Sequence, residues 1–144
     1  MSQLAPGAVV DRFVVDRLLG IGGMARVYAV RHQVLDTRHA LKVLHTVHPE
    51  HQERLVREGR LQARLDPAHV VPVTDVIQVH GAPALIMPLI EGCSLQELLA
   101  GYRPTPNEAG ALFADVVAGV TCAHQARVAS RDLKPGHVLL ELRA

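Results

Sequence analysis

The periodicity of the sequence changes once, close to residue 91, and this change constrains the fold more than any other feature. Before it, short runs of β-branched and aliphatic residues are separated by glycine, proline and polar residues, which is typical of strands. After it, apolar residues recur at helical spacing. We therefore expect a strand-rich part followed by a helical part, with a cleft for a small ligand between them.

Residues that typically begin or end helices and strands give the expected secondary-structure elements. A charged, periodic helix is predicted at residues 51–65, because Asp66-Pro67 stops it. Thr105-Pro106-Asn107-Glu108 predicts a capping box at the start of a longer helix over residues 107–124. A short helix is expected at residues 94–100, and residues 133–142 read as strand or loop. The remaining predicted elements are strands at residues 13–19, 26–31, 39–44, 70–79 and 84–87.

Composition excludes several classes of protein. The 144 residues carry a formal net charge of +1 and 3% aromatic residues, which argues against nucleic-acid binding. The two cysteines have no metal-type or disulfide-type spacing and favour a reducing cytoplasm. The longest apolar stretch, residues 82–90, contains two prolines and is too short to span a bilayer, so we expect no membrane segment in this chain.

A glycine cluster, Gly20-Ile21-Gly22-Gly23-Met24-Ala25, lies between two predicted strands. Glycine has no Cβ, so the backbone of such a loop can approach a phosphate closely. A glycine-rich hairpin turn without a ligand explains the same residues, and both interpretations stay open for the loop alone. A dinucleotide-binding fingerprint is excluded, because a strand and not a helix follows the glycines.

Lys42 and Glu58 form a second candidate pair. Lys42 lies among aliphatic residues on a predicted strand, where the alternative is a lysine on a solvated strand face. Glu58 follows Leu55 by three residues and precedes Leu61 by three, so helical spacing places it on the inward face. A buried carboxylate needs a partner, and we expect Lys42 to supply it. The alternative is one more charge on an arginine-rich helix.

The string at residues 130–140, Ser-Arg-Asp-Leu-Lys-Pro-Gly-His-Val-Leu-Leu, carries the strongest signal. The carboxylate of Asp132 is suited to accept a proton from an attacking hydroxyl. The ammonium of Lys134 is suited to neutralise a transferring phosphoryl group.

The order of these motifs resembles the signature set of eukaryotic-type protein kinases. Lys134 is similar to the serine/threonine class, and residues 22–28 resemble the bacterial branch of the family. The resemblance implies an α+β, protein-kinase-like fold with an antiparallel β-rich N-lobe carrying one helix. It places the N-lobe at residues 1–87, the hinge at 88–93 and the first part of a helical C-lobe at 94–144.

The resemblance also implies roles. Asp132 would be the catalytic base, assisted by Lys134, and Lys42 would hold ATP phosphates while pairing with Glu58. Met87 would be the gatekeeper, and the Pro88 carbonyl and Ile90 amide would bind the adenine edge; proline is tolerated there because only its carbonyl is needed. Leu19, Val27, Ala40 and Leu139 would enclose the ring. The phosphates would lie under Gly20, Ile21, Gly22, Gly23, Met24, Ala25 and Val27.

Four departures from the family pattern bear on activity. Ala25 stands in place of the third glycine, and Ser130 in place of the usual histidine. His137 stands where an asparagine holds magnesium, and imidazole is a poor ligand for that cation. The 144 residues contain no Asp-Phe-Gly, which supplies the other magnesium ligand in the family. We expect little or no phosphoryl transfer from this polypeptide alone.

The leading hypothesis is therefore part of a serine/threonine protein kinase domain whose parent phosphorylates proteins with Mg-ATP. One rival is a pseudokinase that binds nucleotide or acts as a scaffold. Another is a small-molecule phosphotransferase of the same fold, against which Lys134 and residues 24–28 count. The helix at residues 107–124 also carries an apolar face whose exposure would drive self-association or require a partner: Leu112, Phe113, Val116, Val117 and Val120.

Overall fold

The computed structural model describes residues 3–46, 48–65, 70–125 and 138–141, with side chains for all of these except 122–125 and 141. The chain divides into two compact units. The first comprises Met1–Arg64 and Val71–Leu89, and the second comprises Leu65–Val70 and Ile90–Ala144.

The first unit contains a six-stranded antiparallel sheet and one helix. The helix is α1 (Pro49–Gln62). The strand order in the sheet is β1-β2-β3-β4-β6-β5. The strands are β1 (Val9–Val10), β2 (Phe13–Ile21), β3 (Ala25–His32), β4 (Arg38–Leu44), β5 (Asp75–Val79) and β6 (Ala82–Pro88).

Strands were predicted at each of β2, β3, β4, β5 and β6, but the predicted strand at residues 70–79 is too long. Only residues 75–79 pair in the sheet, and residues 71–74 are irregular. Pro72 lacks the amide hydrogen that a ladder requires, so pairing starts after it. The short β1, which pairs with β2, was not predicted.

The sheet buries apolar residues on both faces. Directly opposite residues share a face, so the rows are read from the register. Tyr28, Leu41 and Ile86 form the centre of one face and belong to the larger buried cluster. Leu44 and Leu85 lie on the other face, where they join Leu55 of α1 in a second cluster.

Helix α1 lies close to β6 because Gly59 carries no side chain. A Cβ built at Gly59 would lie only 2.8 Å from Cδ2 of Leu85. Leu55 and Gly59, four residues apart, are the buried residues of the helix. The inward face of α1 therefore follows Leu55 and Gly59.

The second unit contains a two-stranded sheet and two helices. Strand β7 (Gly92–Ser94) pairs with β8 (Leu139–Glu141), and α2 (Leu95–Gly101) begins directly after β7. Ser94 and Glu97 form a reciprocal capping box at the start of α2. Helix α3 runs from Pro106 to Gln125.

The predicted capping box of α3 is confirmed. The Glu108 amide donates to Thr105 Oγ1 at 3.2 Å, and the Thr105 amide donates to Glu108 Oε1 at 3.0 Å. The Tyr102 hydroxyl donates to the same carboxylate at 2.8 Å. The predicted apolar face of α3 is open to solvent along one side, where Phe113 is 69% and Val117 43% exposed. Leu112, Val116 and Val120 on the same face are half-buried. None of the helices among the described residues combines the length and apolarity that crossing a bilayer requires.

Candidate active site

The glycine-rich segment forms the hairpin connection between β2 and β3. The Gly22 amide donates to the Ala25 carbonyl at 2.7 Å and closes a tight turn around Gly23 and Met24. A Cβ built at Gly20 or Gly23 would meet no atom within 4 Å. Neither glycine has a positive φ angle. The chain's own packing and backbone geometry therefore do not explain these two glycines, and the space beside them is open.

The neighbouring strands arrange the other first-unit candidates in two rows. Val27, Lys42 and Leu85 lie opposite one another on β3, β4 and β6. Two residues further along the strands, Ala40 lies opposite Met87. Alternate residues of a strand point to the same face, so Ala40 and Lys42 share a face of the sheet. The structure thus brings together Val27, Ala40, Lys42 and Met87 beside the strand that leaves the glycine-rich turn.

Lys42 lies at the margin of the second apolar cluster. Its side chain is half-buried, between the exposed turn and the buried residues that contact α1. A lysine in such a position buries its aliphatic stem while the ammonium stays accessible. The ammonium is therefore available to an anionic ligand.

Glu58 does not point inward, which corrects the expectation from helical spacing. Its side chain is 51% exposed, and Arg54 Nε donates to its Oε1 at 3.1 Å. No ion pair joins Glu58 to Lys42, although the structure describes both side chains. Gly59 fits against Leu85 and takes the inward position, which turns the adjacent Glu58 to the edge of the face.

A signal for this arrangement was present in the sequence. Arg54 precedes Glu58 by one helical turn, a spacing at which opposite charges pair on an exposed face. Gly59 was also overlooked in the sequence analysis, as Arg54 was. A glycine inside a helix costs about 1 kcal/mol relative to alanine, and its presence often indicates close packing.

The expected hinge residues fall on both sides of the boundary between the units. Met87 and Pro88 end β6, with Pro88 opposite His39 of β4. Ile90 and Leu139 belong to the second unit, where Leu139 pairs with Ser94 across β7 and β8. Leu19 and Ile21, at the end of β2, are exposed. The residues expected to bind adenine therefore belong partly to the first unit and partly to the second.

The expected catalytic string lies outside the described residues. This applies to Asp132 and Lys134, and also to His137 at the position of a magnesium ligand. Within the part of the chain that the structure describes, no group of three or more His, Cys, Asp or Glu side chains could hold a metal.

Comparison with known proteins identifies the family of the chain. Residues 13–144 match the family model described as protein kinase domain. The serine/threonine-protein kinase PknH of Mycobacterium tuberculosis is 36% identical over 138 residues, covering 93% of this chain and 22% of PknH. The serine/threonine-protein kinase PrkC of Bacillus subtilis is 30% identical over 134 residues, covering 90% of this chain and 21% of PrkC.

A solved structure supports the same fold. The PknI kinase domain of M. tuberculosis superposes with a TM-score of 0.80 at 29% identity, covering 97% of this chain and 60% of that one. The chain thus spans about a fifth of the curated relatives cited here and 60% of that solved domain. The confirmed expectations are the kinase-like fold and the bacterial serine/threonine kinase resemblance. The chain belongs to the protein kinase domain family.

Proposed function

We propose that this chain supplies the ATP-binding part of a protein kinase that transfers the γ-phosphoryl group of ATP to serine or threonine hydroxyls of proteins. The observation that carries the proposal is the register that sets Lys42 opposite Val27, on the strand leaving the glycine-rich turn. A cation near the backbone of a glycine-rich turn suits a polyphosphate. The described half of the proposed site comprises Gly20, Gly22, Gly23, Val27 and Lys42.

The adenine ring would lie next to the phosphates, on the row that contains Ala40 and Met87. Both residues are small or flexible and apolar, and Ala40 is buried while Met87 is half-buried. The Pro88 carbonyl and the Ile90 amide would complete the recognition of the base, with Leu19 and Leu139 as further apolar contacts. In the parent kinase, Asp132 would accept the proton of the substrate hydroxyl and Lys134 would stabilise the transferring group.

The 144-residue polypeptide by itself is proposed to transfer phosphoryl groups poorly. Glu58 is engaged with Arg54, so it does not orient Lys42 in this conformation. His137 places an imidazole where a hard cation needs oxygen. Nucleotide affinity should therefore depend only weakly on magnesium. The alternative is a nucleotide-binding pseudokinase module.

Calorimetric titration with ATP tests the binding proposal. We expect Lys42→Met to abolish the signal, because the Lys42 ammonium is the cation of the row formed with Val27 and Leu85. Arg57→Met, on the exposed side of α1, is the matched control and should bind as the parent does. Equal affinities of all three proteins would contradict the phosphate-binding role of Lys42.

Two further titrations separate the kinase from the pseudokinase. ATP affinity in Mg²⁺ and in EDTA should differ little; a large gain with Mg²⁺ would mean that other oxygen ligands hold the ion. An assay with a generic protein substrate then measures transfer. Turnover by the polypeptide that disappears in Asp132→Asn would contradict its inactivity and support Asp132 as the base.

Self-association through the apolar face of α3 is proposed for the isolated polypeptide. Phe113 and Val117 are exposed four residues apart, so both lie on one side of the helix. Sedimentation velocity over rising concentration should show growing assemblies, and Phe113→Glu should reduce them. A monomer at all concentrations would refute this proposal.

A further inference from the structure

His45 contacts the glycine-rich turn in two places. It is the first residue after β4, and its backbone amide donates to the Met24 carbonyl at 2.8 Å. Its ring Nε2 lies 2.9 Å from the Gly22 carbonyl oxygen. A carbonyl oxygen only accepts, so Nε2 carries the proton and donates. One residue therefore holds both sides of the turn.

The turn has few other restraints. The bond from the Gly22 amide to Ala25 closes it, and the last ladder pair before it joins Ile21 to Arg26. Added Cβ atoms at Gly20 and Gly23 would meet nothing, so no side chain packs there. Glycine-rich backbone loses more conformational entropy on ordering than any other. The ring of His45 is therefore a major restraint on the position of Gly22.

The same residue is rigidly connected to Lys42. Three positions separate them, and Lys42, Val43 and Leu44 are all paired with β3 in between. The distance between the turn and the backbone of Lys42 is thus set through one short segment of paired strand. A ligand that contacts both would find them already arranged and would lose less binding energy to ordering.

We propose that His45 is a positioning residue for the nucleotide phosphates, whose ring holds Gly22 in register with Lys42. This inference rests on the proposed function, since it assigns the phosphates of ATP to the turn and Lys42. His45 itself need not touch the nucleotide. No motif in the sequence indicated it, because its partner is a backbone carbonyl 23 positions away.

Three variants separate positioning from general structural damage. His45→Leu removes the donor, whereas His45→Gln keeps an amide N–H close to the position of Nε2. His48→Leu is the matched control, because His48 is exposed and its ring lies 5.1 Å from that of His51, with no described contact to the turn. All three variants should unfold at nearly the same temperature as the unsubstituted chain.

Amide hydrogen exchange of the free chain tests the contact without nucleotide. The Gly22 amide itself donates to the Ala25 carbonyl. Without the His45 ring on the Gly22 carbonyl the turn should open more often, which should speed exchange of this amide by roughly three- to tenfold in His45→Leu. His45→Gln and His48→Leu should exchange as the parent does. An unchanged Gly22 rate in His45→Leu would overturn the proposal at its first step.

Affinities for ATP and adenosine test the consequence. His45→Leu should bind ATP roughly three- to tenfold more weakly, with adenosine affinity unchanged, and His45→Gln should restore ATP binding. Equal losses for both ligands, or no rescue by glutamine, would overturn the positioning role. A parent chain that binds no ATP would refute the proposed function and this role together, while the exchange rates would still decide whether His45 holds the turn.

Discussion

The six-stranded sheet and helix α3 each carry a continuous set of apolar residues, but they differ in what covers it. In the sheet, Leu41 is 0% and Ile86 1% exposed, with apolar neighbours on adjacent strands. On α3, Phe113 is 69% exposed and Val116 is half-buried. The strands cover one another through registered pairs, whereas a helix face needs a second element laid against it.

This difference separates the sources of stability in the two units. The sheet unit gains from burial of its side chains, while α3, whose Leu112, Val116 and Val120 are only half-buried, depends more on its cap and on local helix propensity. Helices that rest on propensity alone are marginal in water. The same kind of substitution should therefore have different, and in one case opposite, effects in the two regions.

The largest expected difference is between matched truncations. Leu41→Ala should lower the free energy of unfolding by about 2–5 kcal/mol, because it leaves a cavity in a fully buried site. Phe113→Ala should change it by less than about 0.5 kcal/mol, because the ring is mostly in water. Urea denaturation of both variants measures the two values. Similar losses would mean that α3 is covered in solution.

A smaller difference is expected for glycine-to-alanine changes in helices α1 and α3. One change should raise the stability of the chain and the other should leave it unchanged or lower it. Gly110→Ala should stabilise α3 by about 0.5–1 kcal/mol, since a Cβ there meets nothing. At Gly59 the same gain is offset by the displacement of Leu85, whose Cδ2 would lie 2.8 Å away. Thermal melts should place Gly110→Ala above the parent and Gly59→Ala at or below it. The reverse order would refute the close contact between α1 and β6.

A smaller effect on stability is expected when the pH is lowered, because His39 in the sheet unit becomes protonated. Burial, and secondarily the charge of His32, hold the pKa of His39 below 6.5. The folded chain then takes up this proton at lower pH than the unfolded chain, so stability is lost as pH falls below 6.5. His39→Gln should flatten that part of the stability curve. If the stability of His39→Gln fell with pH as that of the unsubstituted chain does, another titrating group would dominate the range below pH 6.5.

The smallest effect is expected at the cap of α3. Hydrogen bonds from the Thr105 amide, and next from the Tyr102 hydroxyl, lower the pKa of Glu108 from 4.5. The stabilisation is present above this value and lost as pH falls through the lowered pKa. Far-UV circular dichroism should show less acid-induced loss of helix in Glu108→Gln than in the parent. The group is exposed, so salt should weaken the effect.

The sequence was most informative where local signals act alone. Strands bounded by glycine and proline, and the capping box at Thr105 and Glu108, were predicted and are present. The order of the glycine cluster, Lys42 and the residues around Asp132 was enough to predict the family that the comparisons support. The roles of the individual site residues stay predictions for the experiments above.

The sequence was least informative about contacts between elements. Helical spacing placed Glu58 inward beside Leu55, yet Gly59 occupies that position and Arg54 pairs with Glu58. The inward direction of a helix depends on which of its residues permits the closest approach to the neighbouring strand. That distance is absent from a one-dimensional pattern.

By itself, the sequence determined the kinase resemblance, the strand-rich and helical halves, and the residues available for phosphate chemistry, because each follows from short-range propensities and motif order. Only the tertiary structure decided that Lys42 lies opposite Val27, that Glu58 faces solvent, and that His45 reaches Gly22. These three facts depend on strand register and on the distance between packed elements. Both are properties of residues far apart in the chain, so no local pattern encodes them.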